Sequence, residues 1–326
     1  MKKRSHRLDK MARVYDDEIL PIWSQRFGRM LLRGLELPER AMVLDAGCGT
    51  GYPSLELLKR MDDHGRIIAI DPVGALLDVA RQKAGDLAGK RIFFRSEAPV
   101  AKLAFADEVY DLVISNLGLM SIDSPRRAVR EFTRVTKVNG RVMVTLPLQG
   151  TYGEFYDIYR EVLTKSDQHE VLDRLEAHIA LTPDPDTVVS WFEDAGLDAI
   201  DVEVEEFSLL FKSSREFFFA PVIEFGPLSA WKEVAGKGPS MQEVFWHIKE
   251  SIDAYFGERA FAVTVKAGCI RGTRPEIVLE QEQVTPTEIP RRRDPTPAPP
   301  PAEDRPPEDG PPVRDDFKLE EEEEEE

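Results

Sequence analysis

The feature that most constrains this chain is Val43-Leu44-Asp45-Ala46-Gly47-Cys48-Gly49-Thr50-Gly51, a short apolar run that breaks into glycines at every second position. A strand feeding such a loop lets backbone approach a ligand that side chains would hold off. Asp71 lies 20 residues past Gly51, at the end of a second apolar run from Arg66 to Ile70. A carboxylate there can accept from both hydroxyls of a ribose. The two features together describe a nucleoside-binding strand–loop–helix–strand unit.

The alternation continues through the first half of the chain. Helix patterns at Leu55–Met61, Ala75–Ala84 and Pro125–Thr136 are interleaved with strand patterns at Arg91–Phe94, Asp111–Ser115 and Gly140–Thr145. Strands alternating with helices predict parallel pairing by right-handed crossovers, with ligands at the carboxyl ends of the strands. Before this block, Tyr15, Ile19, Ile22, Trp23, Phe27, Met30 and Leu31 fall at helical spacings. After Pro147, residues 150–180 read as helical, Asp184–Ala195 as a helix stopped by Gly196, and Asp201–Phe207 and Phe261–Ile270 as strands, the latter the last of the sheet. Leu209–Gly257 is aromatic-rich, helical in pattern and too long for a simple connection. It is expected to be an insertion that covers something. The prediction is an α/β, doubly wound, Rossmann-like sheet of seven strands with helices on both faces. Its expected parts are an N-terminal helical cap (1–40), a nucleoside-binding core (41–147), the rest of the fold with the insertion (148–274), and a tail (275–326).

Composition defines the tail and excludes partners. Of 326 residues, 60 are acidic and 43 basic, a net charge of −17. Residues 281–326 alone hold 16 acidic and 6 basic groups, and 11 of the 24 prolines lie between Pro286 and Pro312. With few apolar groups and a closing run from Glu320 to Glu326, this segment is expected to be disordered. The acidic balance argues against sequence-independent phosphate binding and against docking on anionic lipid. Arg291-Arg292-Arg293 is too short, and too surrounded by acid, to change that. No run of about 18 apolar residues exists; Lys212, Arg215 and Glu216 interrupt the greasiest stretch, Phe207–Phe225. Met1–Lys10 has no apolar core of a signal peptide. Cys48 and Cys269 form neither a disulfide framework nor a metal-ligand spacing. The expectation is a cytoplasmic protein without a metal.

The nucleoside can be narrowed. A dinucleotide fingerprint wants a third glycine where Tyr52 stands when counting from Gly47, or where Ser54 stands when counting from Gly49. The phosphate-loop pattern G-x-x-x-x-G-K-[ST] is absent. What remains, D-x-G-x-G-x-G, resembles motif I of the class I S-adenosylmethionine-dependent methyltransferases. Leu103-Ala104-Phe105-Ala106-Asp107 through Asp111-Leu112-Val113-Ile114-Ser115-Asn116 is similar to that family's approach to its fourth strand. Arg130-Glu131-Phe132-Thr133-Arg134-Val135 through Gly140-Arg141 is similar to the element before the fifth, with Val138-Asn139 in place of the usual Pro-Gly. The resemblance covers residues 40–147. The helical insertion and N-terminal helix look like the small-molecule, type 11 branch that includes quinone C-methyltransferases and malonyl-acyl-carrier-protein O-methyltransferases.

Residue by residue, the resemblance implies S-adenosyl-L-methionine as cofactor. Gly47, Cys48, Gly49 and Gly51 would pass beside its methionine portion, and Asp45 would hold its ammonium directly or through water. Asp71 would bind the ribose, and Pro72 and Val73 would lie against the adenine. Glu97, in Ser96-Glu97-Ala98, would meet the adenine edge, although this loop is two residues longer than the family's spacing and lacks its aspartate. Asn116 would face the transferred methyl, and Tyr15 would lie over the cofactor from the N-terminal helix. The implied acceptor is a small molecule or an acyl chain, held under the aromatic insertion. No N/D-P-P-Y/F/W motif follows the fourth strand and no acidic double-E hairpin is evident, which argues against a nucleic-acid or protein-arginine acceptor. The competing reading is a catalytically silent relative that binds cofactor or a partner; the defect it requires in motif I or at Asp71 is not visible. Cys48 has no basic partner near in sequence, and His64, His169, His178, His247, Trp191 and Trp231 read first as surface or core residues.

Overall fold

The computed structural model describes residues 6–97, 102–257 and 259–276. The tail expected from residue 275 lies outside the described residues from 277 onward. The chain opens with α1 (His6–Val14), a π-helical turn at Tyr15–Ile19, and α2 (Ser24–Leu32). It then alternates through β1 (Met42–Ala46), α3 (Ser54–Leu58), β2 (Arg66–Asp71), α4 (Gly74–Ala84), β3 (Ile92–Ser96), β4 (Tyr110–Asn116), α5 (Pro125–Val135) and β5 (Thr136–Pro147). Three helices follow, α6 (Gly153–Lys165), α7 (His169–Ile179) and α8 (Pro185–Glu193), then β6 (Asp198–Phe211). Four more, α9 (Ser214–Phe219), α10 (Pro221–Glu224), α11 (Leu228–Ala235) and α12 (Gly238–Phe256), lead to β7 (Phe261–Thr273).

The seven strands form one sheet in the order β3-β2-β1-β4-β5-β7-β6. The first five are parallel, with Val43 opposite Ile67 on one side and Leu112 on the other. Covered on both faces, these central strands read as nearly continuous apolar runs. Val43, Leu44, Ala46, Leu112 and Val113 are fully buried. The helices bury one stripe each: α5 turns Ala128, Val129, Phe132 and Val135 inward and leaves Arg126, Arg127 and Arg130 exposed. Asp184 caps α8 by accepting from Thr187 N at 2.7 Å, with Pro185 in the first turn.

Two expectations are corrected. The sheet is not wholly parallel: β7 runs antiparallel to both β5 and β6. Last in sequence, β7 nonetheless sits between β5 and β6, so β6 is the edge strand. Because β6 and β7 are antiparallel neighbours, the long connection between them can leave the sheet and return without a crossover. The edge is charged: Arg271 on β7 pairs with Asp201 (2.8 Å) and Glu203 (2.6 Å), and Arg33 bridges Glu203 and Glu205 of β6. A charged edge discourages pairing with other strands.

The insertion begins later than expected, because Leu209, Leu210 and Phe211 belong to β6. Its anchor is an aromatic cluster. Trp231 and Phe217 are fully buried, Phe155 of α6 stacks on Trp231 at 4.0 Å between centroids, and Phe261 of β7 meets Phe217 edge-on. Trp231 Nε1 donates to Tyr156 Oη at 3.0 Å, and Tyr159 Oη donates to the Trp231 carbonyl at 3.1 Å. The phenylalanines expected to act together are divided. Phe211 and Phe217 are core, whereas Phe219 and Phe225 are 69% and 50% exposed and wall nothing. Phe217→Ala should therefore cost about 3–5 kcal/mol of stability in urea unfolding, while Phe219→Ala stays within about 0.5 kcal/mol. Similar losses for the two would show that the cluster is not what holds the insertion.

Candidate cofactor site

The carboxyl ends of β1, β2, β4 and β5 lie along one edge of the sheet, and the residues singled out above gather there. The glycine loop is pinned to β2 by successive N–H groups. Gly47 and Cys48 both donate to the Ile70 carbonyl (2.9 and 3.0 Å), and Gly49 donates to Asp71 Oδ2 at 3.0 Å. This path puts Gly47 and Gly51 at φ +88° and +95°, a left-handed region that favours glycine. On the far side the loop meets the turn after β4. A Cβ on Gly47 would lie 2.8 Å from Gly118 Cα, and one on Gly118 would lie 2.4 Å from the Ala46 carbonyl oxygen. Ser115 Oγ donates to that same carbonyl at 2.7 Å.

Asp45 is fully buried, and its Oδ2 accepts from Ser54 Oγ at 2.6 Å. Its Oδ1 has no partner, and neither does the buried Thr50 Oγ1 in the same loop. Burial, opposed by the Ser54 bond and reinforced by Asp71, pushes the Asp45 carboxyl up to about 7. Asp71 is buried, and its Oδ1 accepts from Val73 N at 2.8 Å. Burial raises its pKa, and its two backbone bonds hold it down. Among the described residues, neither carboxylate has a Lys, Arg or His partner. Two buried acids without a counter-cation are costly to ionise.

The N-terminal segment closes over this loop. Tyr15 lies on Gly49, where a Cβ would meet its ring at 3.6 Å, and its hydroxyl bonds Ser24 Oγ at 2.7 Å. Asn116 Nδ2 donates to the Ser24 carbonyl at 3.1 Å, and Asn116 Oδ1 accepts from Thr145 Oγ1 at 2.7 Å. Tyr15 and Asn116 thus meet through Ser24. Tyr52, the bulky residue that breaks the dinucleotide pattern, packs its ring on Gly28 of α2, where a Cβ would come within 2.3 Å. That contact docks the cap on the core.

Other expected residues are placed differently. Glu97 is drawn away: its carboxylate accepts from Ala104 N at 3.0 Å and pairs with Arg95 at 3.0 Å, while its own N–H reaches the Asp71 carbonyl. Ala98 beside it lies outside the described residues. Pro72 is exposed and Val73 half-buried at the mouth of β2. The Cys48 thiol is buried and its pKa is raised well above its ordinary value by burial, which removes the thiolate a nucleophile needs. Sequence reasoning did not single out Ser24, Thr50, Ser115 or Gly118, nor Ser54 and Gly28 in the roles found. A lone glycine inside the helical pattern at Gly28 was the one available signal. Past the loop, Trp23 stacks on Tyr152 at 6.1 Å, and Tyr152 meets Trp231 edge-on at 5.2 Å. Tyr152 takes φ +64°, unusual for a buried aromatic residue.

The sheet order, the glycine loop at the end of β1 and the acid at the end of β2 define a Rossmann-like, nucleoside-binding α/β protein. A family profile described as "Methyltransferase domain" matches residues 44–144. The chain is 29% identical over 172 residues to the ubiquinone/menaquinone biosynthesis C-methyltransferase of Idiomarina loihiensis, covering 49% of this chain and 68% of the relative. It is 27% identical over 210 residues to the demethylmenaquinone methyltransferase of Renibacterium salmoninarum, covering 58% and 84%. The fold is also that of the YcgJ protein from Bacillus subtilis, with 16% identity and a TM-score of 0.51 over 77% of this chain and 99% of that one. These matches support a class I S-adenosylmethionine-dependent methyltransferase.

Two measurements probe the site as built. Gly118→Ala forces a methyl group into the Ala46 carbonyl and should cost about 1–3 kcal/mol, whereas Gly74→Ala, with nothing within 4 Å, should be close to neutral. Asp45 should make the ligand-free enzyme less stable as pH rises. Its folded carboxyl holds a proton to about pH 7 that the unfolded chain releases near 3.8. The stabilisation is therefore fully present below the lower value and lost as pH climbs through the upper one. Urea unfolding from pH 4 to pH 8 should show the difference between wild type and Asp45→Asn changing by an amount on the order of 3 kcal/mol, in favour of the asparagine at high pH. Parallel profiles would show that the carboxyl is not forced neutral.

Proposed function

We propose that this methyltransferase holds S-adenosylmethionine over the glycine loop and passes its methyl group to a small acceptor with an apolar body, of quinone-like or acyl type. The observation that carries the reading is the pair Asp45 and Asp71, buried beside the loop with no cation among the described residues to balance them. A ligand with an ammonium and a sulfonium but no phosphate fits that pair, and the unpartnered Asp45 Oδ1 and Thr50 Oγ1 offer it polar contacts. In this reading Gly47, Cys48, Gly49 and Gly51 flank the methionine portion, Asp45 holds the ammonium, Asp71 takes the ribose, and Pro72 and Val73 flank the adenine. Glu97 takes no part unless Arg95 and Ala104 release it. The division into an N-terminal cap through residue 40, a cofactor core over 41–147 and an acceptor-covering part over 148–274 belongs to the same proposal.

When bound, the cofactor supplies an electrophilic methyl group on sulfur. The chain's own work is alignment and exclusion of water. Tyr15 covers the loop, and Ser24 ties that cover to Asn116 at the end of β4. Trp23, Tyr152 and Trp231 bring the cap, the turn after β5 and the insertion to one aromatic junction. We assign the acceptor to that junction, supported by the two relatives, a ubiquinone/menaquinone biosynthesis C-methyltransferase and a demethylmenaquinone methyltransferase. No helix among the described residues is long and apolar enough to cross a membrane. The two free cysteines support a reducing, cytoplasmic setting.

Calorimetry tests the cofactor assignment. Asp71→Ala should weaken S-adenosylmethionine binding by about 1–3 kcal/mol, because it leaves donors unpaired. Equal affinity in wild type and variant, or tighter binding of NADH than of S-adenosylmethionine, would overturn it. Incubation with S-adenosylmethionine and a metabolite extract should yield S-adenosylhomocysteine and a methylated apolar product. Methylation of a polar macromolecule instead would reject the acceptor class.

A further inference from the structure

The least expected feature of the site is the partner of Asp45. Ser54, the first residue of α3, is fully buried, and its hydroxyl spends its single proton on Asp45 Oδ2 at 2.6 Å. With Oδ2 used as an acceptor, Oδ1 is buried without a hydrogen-bond partner among the described residues. No side chain or backbone group there offers an ionised Oδ1 a donor or a protonated one an acceptor.

We propose that Ser54 is a positioning residue that reserves Asp45 Oδ1 for the cofactor's ammonium, so that cofactor binding drives a proton off Asp45 into solvent. The inference rests on the cofactor assignment proposed above. The exchange balances without any electron transfer. The Oδ1–H bond breaks, the proton goes to water, and an ammonium N–H takes its place as a hydrogen-bond donor while keeping its own protons.

The groups that face Asp45 support this. Asp71, at the end of β2, adds negative charge; Tyr15 from the π-helical turn and Cys48 from the loop are neutral and raised by burial. Arg81 of α4 bears on Cys48 and is paired with Asp78 at 2.9 Å, and Lys83 of α4 is paired with Asp16 at 2.6 Å. Among the described residues no cation pairs with Asp45. Burial thus favours the protonated carboxyl, and the Ser54 bond opposes burial by favouring the ionised one. Ser54 therefore sets the pH at which the site becomes competent.

The test is calorimetry of S-adenosylhomocysteine, which carries the same ammonium and cannot turn over, in paired buffers of different ionisation heat between pH 5.5 and 8. Wild type should release most of one proton at pH 6 and little at pH 8, with affinity about tenfold weaker at pH 6. Asp45→Asn should abolish the release. Ser54→Ala should move the affinity profile to higher pH, weakening binding about tenfold at pH 7 and much less at pH 8; Ser54→Thr, which keeps a hydroxyl, should restore the wild-type profile. Melting curves confirm that each variant is folded. Absence of proton release in wild type, release surviving in Asp45→Asn, or equal weakening of Ser54→Ala at every pH would overturn the proposal. If Asp71→Ala and Asp45→Asn both bind S-adenosylhomocysteine as wild type does, the cofactor assignment itself has failed.

Discussion

Everything in this protein that bears on chemistry depends on the way the chain leaves β1. Three successive N–H groups, from Gly47, Cys48 and Gly49, are all directed at the end of β2, two to the Ile70 carbonyl and one to the Asp71 carboxylate. Consecutive residues in a strand direct their N–H groups to alternate sides. Convergence on one neighbour therefore requires left-handed backbone at the glycines, and φ is positive at Gly47, Gly49 and Gly51. The same turn brings Gly47 against Gly118, so the loops after β1 and β4 are fixed to each other by backbone contact with no side chain between them. The edge of the sheet at which ligands bind in α/β proteins is thereby made rigid before any ligand is present.

That rigidity is what lets the site hold two acids in a poor environment. A flexible loop would let Asp45 turn toward water; this one keeps it buried with a single donor from Ser54. The cost there is electrostatic, because among the described residues neither acid has a cationic partner. Leu117 and Tyr152, non-glycine residues with φ near +65°, stand at the carboxyl ends of β4 and β5 on the same edge. Backbone in that region persists only where the surroundings over-determine it, and such residues cluster at functional sites.

The local part of this arrangement is legible in the sequence because its causes are local. Glycines in alternation after an apolar run, and an acid a fixed distance beyond, are dictated by one loop and one strand end, and the structure places Gly47, Asp45 and Asp71 beside one another there. The five parallel strands are legible for a similar reason, since strands covered on both faces must be apolar throughout. What was missed depends on pairings distant in sequence. Gly118 matters because of the Ala46 carbonyl, and Ser24 because Asn116 reaches back to it across 92 residues. The place of β7 between β5 and β6 follows from no periodicity, because alternation specifies a face and not a neighbour.

The acceptor side shows the limit of composition most clearly. Six phenylalanines close in sequence invite a single explanation, yet the structure divides them. Phe217 is packed between Trp231, Phe211 and Phe261, and Phe207 of β6 leans on Trp23 and Phe27 of the cap, while Phe219 and Phe225 face outward. The residues that bring the cap, the turn after β5 and the insertion together are Trp23, Tyr152 and Trp231, one from each of three segments. If the acceptor binds at that junction as proposed, altering any one segment would change it without disturbing the glycine loop. The division is therefore physical: the sheet edge is fixed by backbone contacts that tolerate no side chain, and the aromatic junction is fixed by ring contacts that tolerate many.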